Sequence, residues 1–383
     1  MKGFKNAKVY VEGKGVVRCD VAFENGVIGA IGEDLPIDER IEVPENAVVV
    51  PGFIDEHIHG AKGSDGMDGT VQDISVIANA VTCEGTTAFL VTTMTQSVDN
   101  VGKALGAVKE YVSADPKDGA QVLGVHLEGP YISVKHVGAQ PIEYVRKPSV
   151  EDFKVFEEAS GGNIKIVTLA PEVDGAEELV TYLASKNIVA SIGHTDAKYD
   201  DIMRAKACGA TNVTHTYNAQ TPLHHREIGV VGTALLDDEL YTELICDAIH
   251  VSVPAMKLLV KNKPHDKLVL ITDSMRAKHL PDGISELGGQ TVIVKNGEAR
   301  LENGTLAGSV LKMNEAVKNM VERVGTDFCT AVDFATANPA RSLGVFAERG
   351  SIAVGKRADF AVLDKDFSVL KTVRGGKTVF ERK

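Results

Sequence analysis

The sequence predicts an α/β protein, a (β/α)8 TIM-like barrel carrying a small β-sandwich domain formed by both chain termini. Three observations predict it. Eight aliphatic, β-branched runs recur through the middle of the chain, with helix-like stretches between most of them. The two ends resemble each other in texture and differ from the middle. The composition, 44% hydrophobic with no Trp and only 5% aromatic residues, suits parallel strands whose two faces are covered by aliphatic side chains.

Taken in order, "AKVYVEGKGVVRCDVAFENGVIGAIGE" alternates apolar and polar residues and is cut by Gly and Asn-Gly turns, which reads as short antiparallel strands. "GSIAVGKRADFAVLDKDFSVLKTVRGGKTVFE" near the C-terminus reads the same way. The expected organisation is residues 1–50 and 346–383 as the two parts of the small β-domain, with residues 51–345 as the inserted barrel. The eight runs are "VVVPGFIDEHIH" (48–59), "TTAFLVTTMT" (86–95), "QVLGVHLEGP" (121–130), "IKIVTLAPE" (164–172), "IVASIGHTD" (188–196), "TNVTHTYNA" (211–219), "YTELICDAIH" (241–250) and "LVLITDS" (268–274). "VQDISVIANAVTCEG", "AKYDDIMRAKACGA" and "AGSVLKMNEAVKNMVERVG" have helical spacing. Residues 220–240 show no clear long helix, and residues 275–307 read as a loop followed by a β-hairpin. A doubly wound sheet is the alternative, but it seldom needs eight near-equal units.

Lys plus Arg number 41 against 53 Asp plus Glu, a net charge of −12 that repels nucleic-acid phosphates. A local Arg still allows a small anionic ligand. The five cysteines are widely spaced with no CxxC, as expected of reduced thiols in a cytoplasm. The N-terminus shows no signal-peptide pattern, and no apolar stretch reaches membrane-spanning length.

The informative feature is where polar residues fall. Metal-capable or acid–base groups end several runs: His57 and His59, His126 and Glu128, His194 and Asp196, His215 and Asn218, Asp247 and His250, and Asp273. In a barrel these points converge on the C-terminal mouth. Any one of them alone reads equally well as a structural or surface residue. His57 and His59 lie at i and i+2, on one face of a strand, so both can reach one ion. Together with Glu128, His194, His215 and Asp273 they make an oxygen and imidazole set suited to Zn, Fe, Mn or Co, with no cysteine of the kind that closes a structural zinc site. Such an ion supplies Lewis acidity and an activated water, and Asp273 is placed to carry the proton. His126 is read as a packing or supporting residue rather than a ligand, and Lys165, early in its run, as a residue facing away from the mouth.

"TYNAQTPLHHREIGVVG" offers Asn218 and Arg226 to a polar or anionic ligand, with a pair between Arg226 and Glu227 or a surface carboxylate as the alternative. "YISVKHVGAQP" and "NGTLAGS" hold small residues that let a ligand approach the backbone, or are ordinary turns.

"PGFIDEHIHG", "GVHLEGPYIS", "GHTDA", "THTYNA", "HHREIGVVG" and "LITDSM" together resemble the N-acetylglucosamine-6-phosphate deacetylases of the amidohydrolase superfamily, and the resemblance spans nearly the whole chain. It implies deacetylation of the amino-sugar phosphate by a cytoplasmic homodimer with a divalent metal, one or two ions per subunit. It implies Glu128, His194 and His215 as main metal ligands and Asp273 as base and acid. Asn218, Ala219, Arg226 and His250 are implied as sugar-phosphate contacts, with Ala139, Gln140, Leu306 and Ala307 around the pocket. Family members that keep the HxH pair hold two metals, so His57 and His59 point to a second position. Gln140 stands where many members have His, and Ile228 where they have Pro. The rival expectations are an amidohydrolase acting on a cyclic amide, an N-acyl amino acid or adenine, and a non-catalytic sugar-phosphate sensor; the intact Asp273 speaks against the sensor.

Overall fold

The computed structural model describes residues 1–382. Eight parallel strands form the central sheet: β1 (Phe53–Ile58), β2 (Thr86–Thr92), β3 (Gln121–Glu128), β4 (Ile164–Leu169), β5 (Val189–Ile192), β6 (Asn212–Val213), β7 (Tyr241–Ile245) and β8 (Leu268–Ile271). Each pairs with its neighbour in sequence order. The ring closes where the Asp273 N–H donates to the His57 carbonyl at 2.8 Å and the His59 N–H to the Ser274 carbonyl at 2.9 Å. The eight runs read from the sequence are thus the eight barrel strands.

Helices α1 (Val71–Ala80), α2 (Val98–Ala114), α3 (Val150–Ser160), α4 (Ala176–Ser185), α5 (Tyr199–Cys208), α6 (Gly229–Leu236), α7 (Val253–Asn262) and α8 (Met313–Asn319) follow the strands in turn. Their ends are written in the sequence. Thr70, Ser97 and Ser149 cap α1, α2 and α3 by accepting backbone N–H groups with their hydroxyls. Helix α4 buries Ala176, Leu179, Val180 and Leu183, the i, i+3, i+4, i+7 stripe of a helix lying on a sheet. Helix α6, "GVVGTALL", is apolar nearly all round and buries its first six residues. That is why residues 220–240 gave no amphipathic signal.

A second sheet of eight strands joins the chain ends. Phe360–Leu363 pairs antiparallel with Val48–Pro51, and Val48–Pro51 lies parallel to Lys2–Val11. Its core is the aromatic trio Phe4, Phe23 and Phe360, with ring centroids 5.1–6.0 Å apart. The run 48–59 is therefore two strands, not one. Gly52 marks the break, and a Cβ there would lie 2.2 Å from the Thr87 hydroxyl oxygen, so no larger residue fits without a shift.

Two further elements differ from expectation. Residues 275–307 carry three antiparallel strands, Gly283–Leu287, Gln290–Lys295 and Glu298–Leu301, rather than a single hairpin. Their tight Gly288–Gly289 and Asn296–Gly297 turns leave little composition to separate one strand from the next. Residues 307–312 are not helical. They run beside the end of β8, where the Ser309 N–H donates to the Asp273 carbonyl at 2.8 Å and the Met275 N–H to the Ser309 carbonyl at 2.9 Å. All five cysteines are free thiols. Among the described residues no helix is long and apolar enough to cross a membrane.

Candidate active site

The candidate ligands sit where the barrel strands end. His57 lies within β1 and His59 just beyond it, Glu128 is the last residue of β3, and His194, His215 and Asp273 each follow a strand by two residues. His194, His215 and Asp273 have φ of 49°, 29° and 46°. Non-glycine residues seldom adopt this left-handed backbone, and it concentrates at functional sites. Here it turns the chain sharply at the strand ends, so three side chains fold over the barrel mouth.

Glu128 is the hub. Its Oε1 lies 3.1 Å from His194 Nε2 and 3.1 Å from His215 Nε2, and those two nitrogens are 3.0 Å apart. Its Oε2 lies 3.2 Å from His59 Nε2 and accepts from the Gln140 amide at 2.8 Å. Asp273 Oδ1 is 3.2 Å from His59 Nε2 and 3.5 Å from His57 Nε2. All six side chains are buried or nearly so.

The ring nitrogens show what this cluster fits. His194 Nδ1 faces the His136 carbonyl at 2.9 Å, an acceptor only, so Nδ1 carries the proton and Nε2 turns a lone pair towards Glu128 and His215. His57 Nδ1 faces the Glu243 carboxylate at 3.0 Å, and its buried Nε2 has no hydrogen-bond partner. Lone pairs converging on a carboxylate, without donors between them, fit a divalent cation. Charge points the same way. Burial favours neutral His59, but hydrogen bonds to Asp273 and Glu128 outweigh it and push the ring up to about 10. Burial likewise opposes the charged form of Asp273, yet His57 and His59 hold its carboxyl down to about 2. The carboxylates demand positive charge at this place. Three overlapping triads, His57–His59–Glu128, Glu128–His194–His215 and His57–His126–Glu243, have donor atoms close enough for a metal ion, but in the third both His126 ring nitrogens are already hydrogen-bonded, to the Glu56 carbonyl and the Thr168 hydroxyl.

A cavity of about 340 Å³ opens above the cluster, within the usual range for a small-molecule site. Ala139, Gln140, Asn218, Ala219, His250 and Leu306 line it, together with Lys135, His136 and Gly138. The three-stranded excursion forms part of its wall, since Gln290 donates to the Ala139 carbonyl at 2.6 Å and Leu287 lines the cavity. His250 donates through Nδ1 to Asp247 at 2.6 Å, and that carboxylate also accepts the backbone N–H of His250 at 2.9 Å. Burial lowers the His250 pKa, but the Asp247 carboxylate more than compensates and raises it above that of a free imidazole.

Three site residues read from the sequence do not line this cavity: His57, which lies in the cluster below it, Arg226 and Ala307. Arg226 lies in an exposed loop, its guanidinium 2.8 Å from His225 Nε2, and it does not touch the cavity. Ala307 is buried in the apolar cluster of the excursion beside Leu287 and Val292. His126 takes no place among the Glu128 contacts. It donates from Nδ1 to the Glu56 carbonyl at 3.1 Å and accepts from the Thr168 hydroxyl at 2.7 Å, while burial and the nearby His57 charge lower it to about 4. Lys165 is exposed. Glu243 and His136, both in contact with candidate ligands, were not singled out from the sequence. Glu243 had one signal, a carboxylate in the middle of a short barrel strand whose neighbouring residues are buried.

A profile described as "Amidohydrolase family" matches residues 48–379. The chain belongs to the amidohydrolase family. This amidohydrolase is 43% identical to an N-acetylglucosamine-6-phosphate deacetylase of Bacillus subtilis, over 98% of its own length and 96% of the relative's. It is 36% identical to an N-acetylgalactosamine-6-phosphate deacetylase of Escherichia coli O157:H7, with 90% of each covered. Among solved structures it is similar to the N-acetyl-D-glucosamine-6-phosphate deacetylase of Mycobacterium smegmatis, solved in complex with N-acetyl-D-glucosamine 6-phosphate. The TM-score is 0.91 at 30% identity, covering 99% of this amidohydrolase and 98% of that chain.

Proposed function

We propose that this amidohydrolase hydrolyses N-acetyl-D-glucosamine 6-phosphate to D-glucosamine 6-phosphate and acetate, in amino-sugar metabolism. The observation that carries the reading is the combination of Glu128, His194, His215 and Asp273 on the floor of one small cavity with His250, held by Asp247, in its wall. The name shared by high-coverage relatives supports the substrate.

Glu128, His194 and His215 would hold one divalent ion, and His57 and His59 with Glu128 and Asp273 a second; Zn, Fe, Mn and Co all suit these donors. When bound, such an ion polarises the acetyl carbonyl and activates water. Asp273 takes the proton from the attacking water and returns it to the departing amine. Its position between His57 and His59 keeps the carboxylate charged and ready to accept. Gln140 holds Glu128 Oε2 with its amide while its carbonyl accepts the Thr95 N–H at 2.6 Å, which fixes the Glu128 carboxylate. Asn218 and the Gly138–Ala139 backbone bind the sugar, and His250 the phosphate.

Arg226, exposed beside Leu223, His224 and His225, does not line its own cavity. We infer a homodimer in which this loop closes the neighbouring subunit's pocket and brings the Arg226 guanidinium to the phosphate. The five free thiols favour a reducing, cytoplasmic setting.

A panel of substrates tests the reading. Acetate release is expected from N-acetylglucosamine 6-phosphate, with kcat/KM lower by roughly 10²-fold or more for the unphosphorylated sugar, because the polar groups that meet the phosphate then lose that contact. N-acetylgalactosamine 6-phosphate is the second substrate to measure, given the Escherichia coli relative. Faster turnover of that epimer would reassign the sugar, and equal turnover of phosphorylated and unphosphorylated sugars would remove the phosphate from the reading.

A further inference from the structure

Glu243 lies in the middle of β7 and is fully buried. A carboxylate held out of water must be paired, or it is strongly destabilising. Its partners are the two ends of the candidate metal cluster. Oε2 accepts from His57 Nδ1 at 3.0 Å and from the backbone N–H of His215 at 3.1 Å. The Glu243 carbonyl also accepts the Thr216 N–H at 2.9 Å. One side chain on β7 therefore grips a ring on β1 and the backbone just beyond β6.

We propose that Glu243 is a positioning residue for the metal cluster, fixing the ring of His57 so that Nε2 faces Glu128 and Asp273 and bracing the backbone of His215. The chemistry follows from hydrogen-bond roles. A carboxylate only accepts, so it forces the proton of a neutral His57 onto Nδ1 and leaves Nε2 free as a donor to a cation. A carboxylate behind a ligating imidazole also makes the ring more basic. The brace on His215 matters because φ there is 29°, a backbone conformation that a non-glycine residue holds only when its surroundings impose it. Glu243 thus couples the His57 side of the cluster to the His215 side without touching the substrate cavity.

The inference rests on the metal-dependent reading above but not on the identity of the sugar. The test is a Co²⁺ titration of metal-stripped protein, followed by calorimetry and visible absorption, on wild type, Glu243→Leu and Glu243→Gln, each with a thermal melt. Wild type is expected to take up two ions. In Glu243→Leu the weaker ion is expected to bind about 10–100-fold less tightly, with a changed Co²⁺ spectrum. In Glu243→Gln, whose amide oxygen still accepts from His57, uptake is expected to stay near wild type. Uptake by Glu243→Leu equal to wild type overturns the proposal. So does a Glu243→Gln variant that falls as far as the leucine, or a wild type that takes up a single ion. If Glu243→Leu does not fold, Glu243→Asp, a carboxylate one methylene too short to hold both the His57 ring and the His215 backbone, takes its place: uptake weaker than that of Glu243→Gln supports the proposal, and uptake equal to wild type overturns it. Wild-type deacetylation measured in parallel keeps the readings apart. Activity with unchanged metal uptake in the variants removes only Glu243's role, and inactivity with impaired uptake in the variants removes only the assigned reaction.

Discussion

The backbone N–H of Asp273 donates to the carbonyl of His57 at 2.8 Å, so the hydrogen bond that closes the barrel also sets the proton carrier against a candidate metal ligand. Their side chains meet above that bond, Oδ1 to Nε2 at 3.5 Å. Barrel closure and site assembly are one event here. On the other side of Asp273, Ser309 donates to its carbonyl at 2.8 Å, which fixes the strand end from both flanks.

Asp273→Asn keeps the shape and the backbone bonds but removes the proton acceptor. The expected result is a fall in kcat of about 10²–10⁴-fold, with folding intact. Steady-state kinetics beside metal analysis checks it. A variant that retains wild-type kcat would assign the proton transfer to another group.

Gln140→Ala removes the amide that holds Glu128 and leaves the buried Thr95 N–H without its acceptor. The expected cost is about 1–3 kcal/mol of stability, with weaker metal retention on dialysis against a chelator. Unchanged melting and unchanged retention would show that Gln140 is a passive part of the wall.

Arg226→Ala is expected to raise KM for the phosphorylated sugar and leave the unphosphorylated sugar unaffected. Sharing between subunits has its own signature. Mixed dimers of Arg226→Ala with Asp273→Asn are expected to turn over the phosphorylated sugar at the wild-type KM, which neither parent does, because one site then holds both wild-type residues. No gain on mixing would place Arg226 in its own subunit's site or outside function altogether.

His279 gives a pH dependence away from the metal cluster. Its Nε2 lies 2.7 Å from Glu84, which also pairs with the buried Lys278 at 3.0 Å. Burial alone would lower the His279 pKa, but hydrogen bonds to Cys83 and Glu84 raise it to about 9 from an ordinary value of 6.5. The stabilisation is fully present below pH 6.5 and is lost as pH rises through about 9. Discounted for partial exposure, it amounts to about 1–2 kcal/mol. Melting curves of wild type and His279→Gln are expected to diverge below pH 7 and converge above pH 9; a constant gap across that range would contradict the ion pair.

The barrel and the floor of the site were legible because both depend on local patterns. Strands buried on two faces must be aliphatic, and polar residues at their ends stand out against that background, as His57, Glu128, His194, His215 and Asp273 did. What was not legible depends on contacts between distant segments. Glu243 gains meaning only when β7 lies beside β6 and, with β8 between them, close to His57 on β1. Arg226 carries the right chemistry, but its exposure is a property of the folded loop. Residues 307–312 lack any strand pattern because their order comes from pairing with the end of β8.

The most direct measurement is acetate release from N-acetyl-D-glucosamine 6-phosphate by purified protein, first stripped with a chelator and then reloaded with Zn²⁺, Mn²⁺, Co²⁺ or Fe²⁺, with metal content and free amine determined on the same samples. The expected result is negligible release from stripped protein, recovery on reloading with one acetate per amine, and no recovery in Asp273→Asn. Full release from rigorously metal-free protein, or none from protein carrying its metal, would contradict metal-assisted deacetylation at this site.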